Sequence, residues 1–248
     1  MQDRYAGDIG DFGKLGLLRK LGCCELAIGV NWYLTPDESH NTDGCHVGYL
    51  HKNEFQVCDE VLWSTLGIMV SSGKRTVSDI EKAELLSAEH TRYYNRELDF
   101  SSLSKQERQS VREKWHADAL DTLSNCDIVF VDPDNGLIVR SAEGTAKSNK
   151  FVLPSEVGDY YRQGSSVIYY QHKARRTDSF YTKQHNRLLS SEVFHGAFGL
   201  GLKFRTTSQR YYFFILQPQH KDIISSCVGD MLETSWGKHF INITNMLY

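Results

Sequence analysis

DIVFVDPDNG (residues 127–136) is a short apolar run that changes abruptly into polar residues. The β-branched and aromatic side chains of residues 127–131 are typical of a buried strand, and the residues after them favour a turn. A carboxylate directly after a buried strand is costly to desolvate unless it is paired or takes part in chemistry. The polar end of this stretch is therefore the candidate catalytic site, and its members are Asp132, Pro133, Asp134 and Asn135.

The other segments of the chain predict an alternating α/β pattern around this strand. Residues 154–164 carry helix signals and residues 166–170 form a second apolar strand, so the two strands are expected to be parallel with a crossover helix between them. Residues 27–34 predict another buried strand, and residues 197–204 with 210–216 predict an antiparallel hairpin. The expected fold is therefore α/β, with a Rossmann-like, mostly parallel sheet, a C-terminal antiparallel hairpin and helices on both faces.

Length and composition indicate the domain organisation. The chain has 248 residues, 40% of them hydrophobic, which is enough to form one sizeable core. Residues 54–123 look mainly helical, so we expect a single domain over residues 1–248 with a helical insertion at about 54–115. Two capping boxes are predicted in this region, at Ser78 with Glu81 and at Ser104 with Glu107.

The cysteine pattern and the hydropathy of the sequence indicate in which cellular compartment the protein lies. The six cysteines form no C-x-x-C pair, and no apolar secretory segment stands at the N-terminal end. No apolar stretch approaches the ~20 residues of a membrane span. We therefore expect a cytoplasmic protein with reduced thiols, no membrane partner and no metal site built from paired cysteine motifs.

Overall charge does not favour nucleic acid, but one basic cluster could contact it. The formal net charge is −3 and the isoelectric point is about 6.4. Basic side chains nevertheless cluster after the strand at 166–170, and a local patch can act independently of the net charge. The alternative is a solvated surface. The candidate nucleic-acid contacts are His172, Lys173, Arg175 and Arg176.

Three predicted strands end in polar residues, which places candidate ligand contacts at one edge of the sheet. Residues 35–38 follow the first strand, residues 132–136 follow the second strand, and residues 171–173 follow the third strand. In open α/β sheets ligands bind beyond the carboxyl ends of the strands. A glycine-rich opening loop adds polar groups before the first predicted helix. Its candidates are Asp8, Asp11 and Lys14, and a loop that simply packs on the core is the alternative.

The strand at 127–131 with its Asp132-Pro133 end resembles the fourth motif of class I S-adenosylmethionine-dependent methyltransferases, an apolar strand that ends in Asp-Pro-Pro-Tyr. The resemblance implies that Asp132 and the Pro133 carbonyl accept hydrogen bonds from an amino group and direct its lone pair towards the methyl sulfonium. Asp134 and Asn135 stand in place of Pro-Tyr, so the aromatic side chain that stacks on a target base is missing.

The same resemblance implies the cofactor contacts. Residues 117–120 (ADAL) are similar to the acidic segment that contacts the adenine of S-adenosylmethionine, which makes Asp118 a candidate. Thr35-Pro36-Asp37-Glu38 stands where these enzymes carry a glycine-rich loop, and Thr35 and Asp37 are the candidates there.

The opening of the chain resembles that of RlmJ-like large-subunit ribosomal RNA adenine-N6 methyltransferases. Their Ala-Gly-Asn…Ala-Asp…Lys stretch precedes the first strand and helps to bind the cofactor. Ala6-Gly7-Asp8, Gly10-Asp11 and Lys14 have the same layout, which implies that Asp8, Asp11 and Lys14 contact S-adenosylmethionine. The opening and the Asp-Pro-Asp-Asn-Gly turn also resemble those of an uncharacterised bacterial protein family. The leading expectation is methyl transfer to a nucleic acid base.

Two alternatives from other functional classes remain open. Asp132 or Asp134 followed by Gln171-His172-Lys173 resembles the acidic, Gln and Lys pattern of metal-dependent nucleases, in which Mg²⁺ is held by the acids and Gln. That site normally lies on an antiparallel hairpin. The second alternative is a catalytically silent, methyltransferase-like binding module, because the glycine-rich loop is missing.

Overall fold

The structure is a computed structural model that describes residues 1–38, 44–206 and 208–247. Its strands are β1 Ile28–Asn31, β2 Thr91–Tyr94, β3 Ile128–Val131, β4 Gly136–Leu137, β5 Phe151–Val152, β6 Ser166–His172, β7 Phe198–Phe204, β8 Arg210–Leu216 and β9 Phe240–Asn242. Its α-helices are α1 Ile9–Gly22, α2 Asn53–Gln56, α3 Glu60–Ser72, α4 Val77–Lys82, α5 Lys105–Thr122, α6 Pro154–Arg162, α7 Asp178–Leu189 and α8 Lys221–Leu232. Short 3₁₀ helices lie at Asp3–Tyr5, Gly48–His51, Ala146–Lys150, Glu192–Phe194, Ser235–Lys238 and Thr244–Met246.

Seven strands form one mixed sheet in the order β2-β1-β3-β6-β8-β7-β9. β2, β1, β3 and β6 are parallel, and Val129 of β3 lies opposite Val167 of β6. β8 runs antiparallel to β6, and β7 and β9 continue the sheet in alternating directions. The predicted parallel pair, its crossover helix and the terminal hairpin are therefore confirmed, and the fold is Rossmann-like.

Helices cover both faces of the sheet, as predicted. β1 and β3 are buried along their whole lengths because helices pack on each side of them. One core cluster holds Phe12 of α1, Leu66 of α3 and Val228 of α8. The other cluster, on the opposite face, holds Trp115 of α5 and Tyr160 of α6. Within the described residues, no helix has the length and apolar character to cross a membrane.

The region predicted to be a helical insertion also contributes a strand to the sheet. Thr91–Tyr94 forms β2, which pairs in parallel with β1 through Ile28 opposite Thr91. The mainly helical prediction for residues 54–123 is wrong at this point. The four residues Thr-Arg-Tyr-Tyr favour a strand only weakly by themselves, and pairing with β1 decides their conformation.

Two element boundaries also differ from prediction. The capping box of α4 is formed by Thr76 and Asp79, because Thr76 has extended backbone angles and its side chain accepts from the Asp79 amide, so the prediction at Ser78 is wrong. The box at Ser104 and Glu107 is confirmed. The strand expected over 27–34 ends at Asn31, and Tyr33 takes a positive φ of 45°.

Candidate functional site

The polar residues that follow the strands meet at the point where the strand order reverses. From β1 the chain crosses to β2 on one side and then returns to β3 on the other side of β1. Open α/β sheets bind ligands outside the carboxyl ends of the strands at such a switch point. Asp132 follows β3 immediately and is 3% exposed, so its carboxylate is buried beside this point.

The crevice between β1 and β3 holds the Met1 residue. Its amino group donates to the carbonyl oxygens of Tyr33 (3.1 Å) and Asp132 (2.9 Å). The Met1 carbonyl in turn accepts from the amide (2.9 Å) and the hydroxyl (3.3 Å) of Thr35. Thr35, a predicted cofactor contact, is therefore buried and engaged with Met1.

A buried ion-pair triad joins helix α1 to the end of β3. Lys14 on α1 bonds Asp11 Oδ1 at 2.8 Å and also contacts Asp132 Oδ2. Burial raises the pKa of Asp132, and the Lys14 ammonium opposes that rise. Burial lowers the pKa of Lys14, but Asp11 and Asp132 outweigh it, so the net direction is upwards and Lys14 is charged. Two of the predicted residues, Asp11 and Lys14, thus lie directly beside Asp132.

The ammonium of Lys14 has no donor left for a ligand. Besides the two carboxylates, its Nζ approaches the Met1 Sδ at 3.7 Å, and the ammonium lies 5.1 Å from the ring centroid of Trp32. An ammonium has three donors. Lys14 therefore holds Asp132 and Asp11 in the structure, and the cofactor contact that the resemblance implied stays a prediction.

Asp8 starts helix α1 and is likewise engaged with the backbone. It is the N-cap residue, and its Oδ1 accepts from the amides of Gly10 (2.6 Å) and Asp11 (3.1 Å). Asp11 Oδ2 accepts from the Gly7 amide at 3.1 Å. The glycine-rich opening is therefore a helix-entry loop that also brings its carboxylates to the carboxyl edge of the sheet.

Gln171 on β6 braces the turn that follows Asp132. Its Oε1 accepts from the Leu137 amide (2.9 Å), and its Nε2 donates to the carbonyl oxygens of Asn135 (2.8 Å) and His172 (3.0 Å). Gly136 has a φ of +99°, and a Cβ at this position would overlap the Gln171 amide. The turn is thus held in one conformation by the neighbouring strand.

Asp134 is paired on the opposite side of the same turn. Its carboxylate contacts the Met1 amino group at 2.8 Å, accepts from Gln2 Nε2 at 2.6 Å and lies 3.6 Å from Lys150 Nζ. Burial raises the pKa of Asp134, but these cationic and donor groups outweigh it and lower the pKa overall. Asp134 is therefore an ionised structural partner of the opening segment.

A cavity of about 290 Å³ opens over β3, β6 and β8. Asp132, Pro133, Asp134 and Asn135 all line it, as do Asp8, Asp11 and Lys14. Lys14 donates a hydrogen bond to Asp132 Oδ2, whereas Asp132 Oδ1 makes no hydrogen bond among the described residues. The volume is at the lower end of the range for small-molecule sites, about 300–1,000 Å³.

Two predicted cofactor contacts lie away from this cavity. Asp118 is on the outer side of α5, where it pairs with Arg96 at 2.6 Å. Asp37 is exposed, and its carboxylate accepts from the Arg4 amide at 3.2 Å. Neither residue lines the cavity.

The predicted basic cluster lies beside the cavity, but only one member lines it. His172 faces the cavity. Lys173 is bound to Asp178 (2.9 Å) and to Gln209 Oε1 (3.0 Å), while Arg175 and Arg176 are exposed in the loop after β6. Arg176 lies 5.4 Å from the ring centroid of Phe180.

The geometry differs from the antiparallel hairpin on which the nuclease pattern normally lies. β3 and β6 are parallel neighbours, so these two strands form no antiparallel hairpin. Gln171 is engaged in the turn and Lys173 pairs with Asp178. Over residues 1–38, 44–206 and 208–247, no group of three or more His, Cys, Asp or Glu side chains could hold a metal ion.

Arg210 was not predicted from the sequence as a site residue. It is the first residue of β8, it is 4% exposed, and it lines the cavity. Its position results from antiparallel pairing with β6, which sets it opposite His172. An antiparallel strand begins at the edge where its parallel neighbours end, so the charged residue that opens the apolar run at 210–216 was the available signal.

Arg210 is the cavity residue that suits the carboxylate end of S-adenosylmethionine. Arg210 Nε is buried and has no hydrogen-bond partner among the described residues, so a ligand carboxylate would satisfy it. In the crevice between β1 and β3, where α/β proteins commonly place a cofactor, the Met1 amino group bonds the carbonyl oxygens of Tyr33 and Asp132. The residues therefore fit a ligand that lies over β3, β6 and β8.

The functional assignment rests on the geometry of the site, because the comparisons with known proteins gave no match. The helices and the strand order establish the Rossmann-like fold. Asp132, the cavity and the buried Arg210 define the candidate site within it. No protein-family model matches the chain, and no curated protein is significantly similar to it in sequence.

Proposed function

We propose that this chain is an S-adenosylmethionine-dependent methyltransferase that acts on an amino group, with a nucleic acid base as the substrate. One observation carries the proposal: Asp132 stands at the carboxyl end of β3, lines the cavity and keeps Oδ1 without a hydrogen-bond partner among the described residues. The order of the parallel strands, with an antiparallel hairpin after them, is the arrangement that the resemblance implied.

The chemistry of Asp132 under this proposal is orientation of the acceptor. S-adenosylmethionine, when bound, supplies an electrophilic methyl group on a sulfonium sulfur. Asp132 Oδ1 and the Pro133 carbonyl accept hydrogen bonds from the acceptor amino group and direct its lone pair into the cavity. Asp132 Oδ1 would then accept the proton released from the acceptor nitrogen and pass it to solvent. Lys14 holds Asp132 in place throughout.

The exposed basic residues supply the contacts to the nucleic acid. Arg175 and Arg176 lie in the loop after β6, next to the edge that carries His172 and the cavity. Guanidinium groups at this position would bind phosphates and not bases, so they add affinity without sequence preference. Neutralising both should therefore reduce affinity in a salt-dependent manner.

The decisive experiment measures cofactor binding and methyl transfer separately. Calorimetry with S-adenosylmethionine should give micromolar binding, about −8 kcal/mol, to the wild type. Incubation with radiolabelled methyl donor and RNA or DNA should give incorporation that chelator does not reduce. Asp132→Asn should lower turnover on the order of 100-fold while leaving cofactor affinity within a few-fold, because its role is orientation.

Asp118→Asn is the matched control. The side chain is on the outer side of α5, so this substitution should change neither cofactor affinity nor turnover. Absence of both binding heat and methyl incorporation, with folded protein and several nucleic acids, would reject the proposal. Metal-dependent strand breaks would instead support the nuclease alternative.

A binding module without catalysis is the second candidate function. The observation that favours it is Met1, which occupies the crevice between β1 and β3 through hydrogen bonds to Tyr33 and Asp132. In addition, Thr35-Pro36-Asp37-Glu38 stands where a glycine-rich loop would follow β1, and Thr35 bonds the Met1 carbonyl. Nucleic acid binding without methyl incorporation would identify this second function.

A further inference from the structure

Arg210 is a buried cation that no carboxylate of the described residues pairs. It is 4% exposed, yet no carboxylate oxygen of the described residues lies within 4.0 Å of its guanidinium nitrogens. Its Nε is buried and makes no hydrogen bond within the same part of the chain. A guanidinium carries five N–H donors and stays charged in proteins. Burial without a partner is therefore costly for this side chain.

Three carboxylates that line the cavity together with Arg210 are engaged with other groups. Asp8 Oδ1 accepts two backbone amides of α1, while Asp11 and Asp132 share the ammonium of Lys14. Burial lowers the pKa of Arg210, but Tyr170 and Asp8 outweigh it and raise the pKa overall. Arg210 is thus fully charged, and an additional anion can approach it.

Gly10 leaves room for the Arg210 side chain, which lines the cavity. A Cβ on Gly10 would collide with the Arg210 guanidinium, so the glycine allows the side chain to lie against the start of α1. Tyr212, which lies two residues further along β8, also has a buried hydroxyl without a hydrogen-bond partner among the described residues. Arg210 itself lines the cavity together with Asp132.

We propose that Arg210 forms an oxyanion subsite that receives a phosphate or carboxylate group of a small ligand bound in the cavity. A guanidinium matches both groups because it offers two parallel N–H donors to two oxygens. The subsite requires no methyl transfer, so it goes beyond the function proposed above. Phosphate and carboxylate come from different ligands, and matched pairs of compounds distinguish them.

The experiment compares ligands with and without the oxyanion by calorimetry on the full chain. AMP is paired with adenosine, and S-adenosylmethionine is paired with its decarboxylated form. The proteins are the wild type, Arg210→Gln, Arg210→Lys and the control Arg92→Gln. Arg92 is exposed on the edge strand β2, four strands away from β8, and among the described residues its side chain bonds two backbone carbonyls.

One pair should show about 10- to 100-fold tighter binding of the oxyanion-bearing compound to the wild type. That preference should disappear in Arg210→Gln, weaken in Arg210→Lys and remain in Arg92→Gln. The pair that shows the preference identifies phosphate or carboxylate as the group bound. A preference that survives in Arg210→Gln, or no preference in either pair, would overturn the proposal.

Thermal unfolding of the unliganded proteins provides a second, independent measurement. If Arg210 serves a ligand, Arg210→Met removes an unpaired buried charge, so its melting temperature should equal or exceed that of the wild type. If Arg210 is a structural residue, the same substitution should lower the melting temperature, and that result would also count against the subsite. This measurement holds even if methyl transfer is never observed.

Discussion

At the scale of single residues, Lys14 decides whether the site can exist in its present form. Its ammonium forms ion pairs with two buried carboxylates, Asp11 and Asp132. Breaking a buried ion pair by removing one partner is more costly than the pair itself contributes, because a buried charge is left uncompensated. Here one substitution would leave two such charges side by side.

Lys14→Met should therefore lower the free energy of unfolding at pH 7 by about 3–5 kcal/mol. The loss should shrink as the pH is lowered towards 4, because without Lys14 the two carboxylates are protonated more readily. Urea unfolding at several pH values measures both effects. Lys20→Met, on the same helix but partly exposed, is the control and should change stability by less than about 0.5 kcal/mol. A loss for Lys14→Met as small as that of the control would show that the triad does not stabilise the fold.

At the scale of elements, the turn after β3 depends on β6. Gln171 holds the turn through two hydrogen bonds, to Leu137 and Asn135, and Gly136 allows it to lie close. The candidate site is therefore formed by two parallel strands jointly, and neither strand alone would set the direction of Asp132.

Gly136→Ala tests this dependence against Gly164→Ala. Both glycines have nearly the same backbone, with φ of +99° and +97°, but a Cβ on Gly164 meets nothing within 4 Å. Both variants should lose stability from backbone strain, and Gly136→Ala should lose about 1–3 kcal/mol more because it displaces Gln171. Denaturant unfolding measures the difference. Equal losses would mean that the Gln171 contact is unimportant.

The elements also show what the sequence could predict and why the rest escaped. The apolar runs at β3 and β6 and the hairpin are continuous in sequence, so composition and turn signals were sufficient to predict them. β2 is only four residues long and depends on β1, and Arg210 enters the site through long-range pairing with β6. Asp132 was predictable because it directly follows its own strand. Its ion pair with Lys14 was not, because Lys14 lies on a helix 118 positions earlier in the sequence.

At the scale of the whole molecule, both helical layers are needed to cover the sheet, and each contains buried titratable groups. The layer opposite α1 includes His185 on α7, which bonds the Tyr169 hydroxyl at 2.9 Å and stacks on Phe213. Burial lowers the pKa of His185 to about 3, from an ordinary value near 6.5. The unfolded chain thus binds a proton that the folded protein excludes between these pH values.

Stability should therefore be full above pH 6.5 and fall as the pH drops through the window between 6.5 and 3. Between pH 7 and pH 5 this residue alone should cost the wild type about 2 kcal/mol, and His185→Gln should lose that part of the dependence. Urea unfolding at the two pH values provides the measurement. His195→Gln, which changes an exposed histidine, should follow the wild type. An unchanged slope in His185→Gln would show that His185 is not responsible.

The contact between Lys14 and Asp132 also has a consequence in time. Ribosomes add about 5–20 residues per second, so β3 follows α1 during synthesis by roughly 6–24 s. For those seconds the ammonium of Lys14 has Asp11 beside it but lacks Asp132, so the contact that joins α1 to the end of β3 cannot form. Arg210 is made later still. The cavity is therefore among the last parts of the molecule to form, and a nascent chain that stops before β3 carries Asp8, Asp11 and Lys14 without the residues that complete the site.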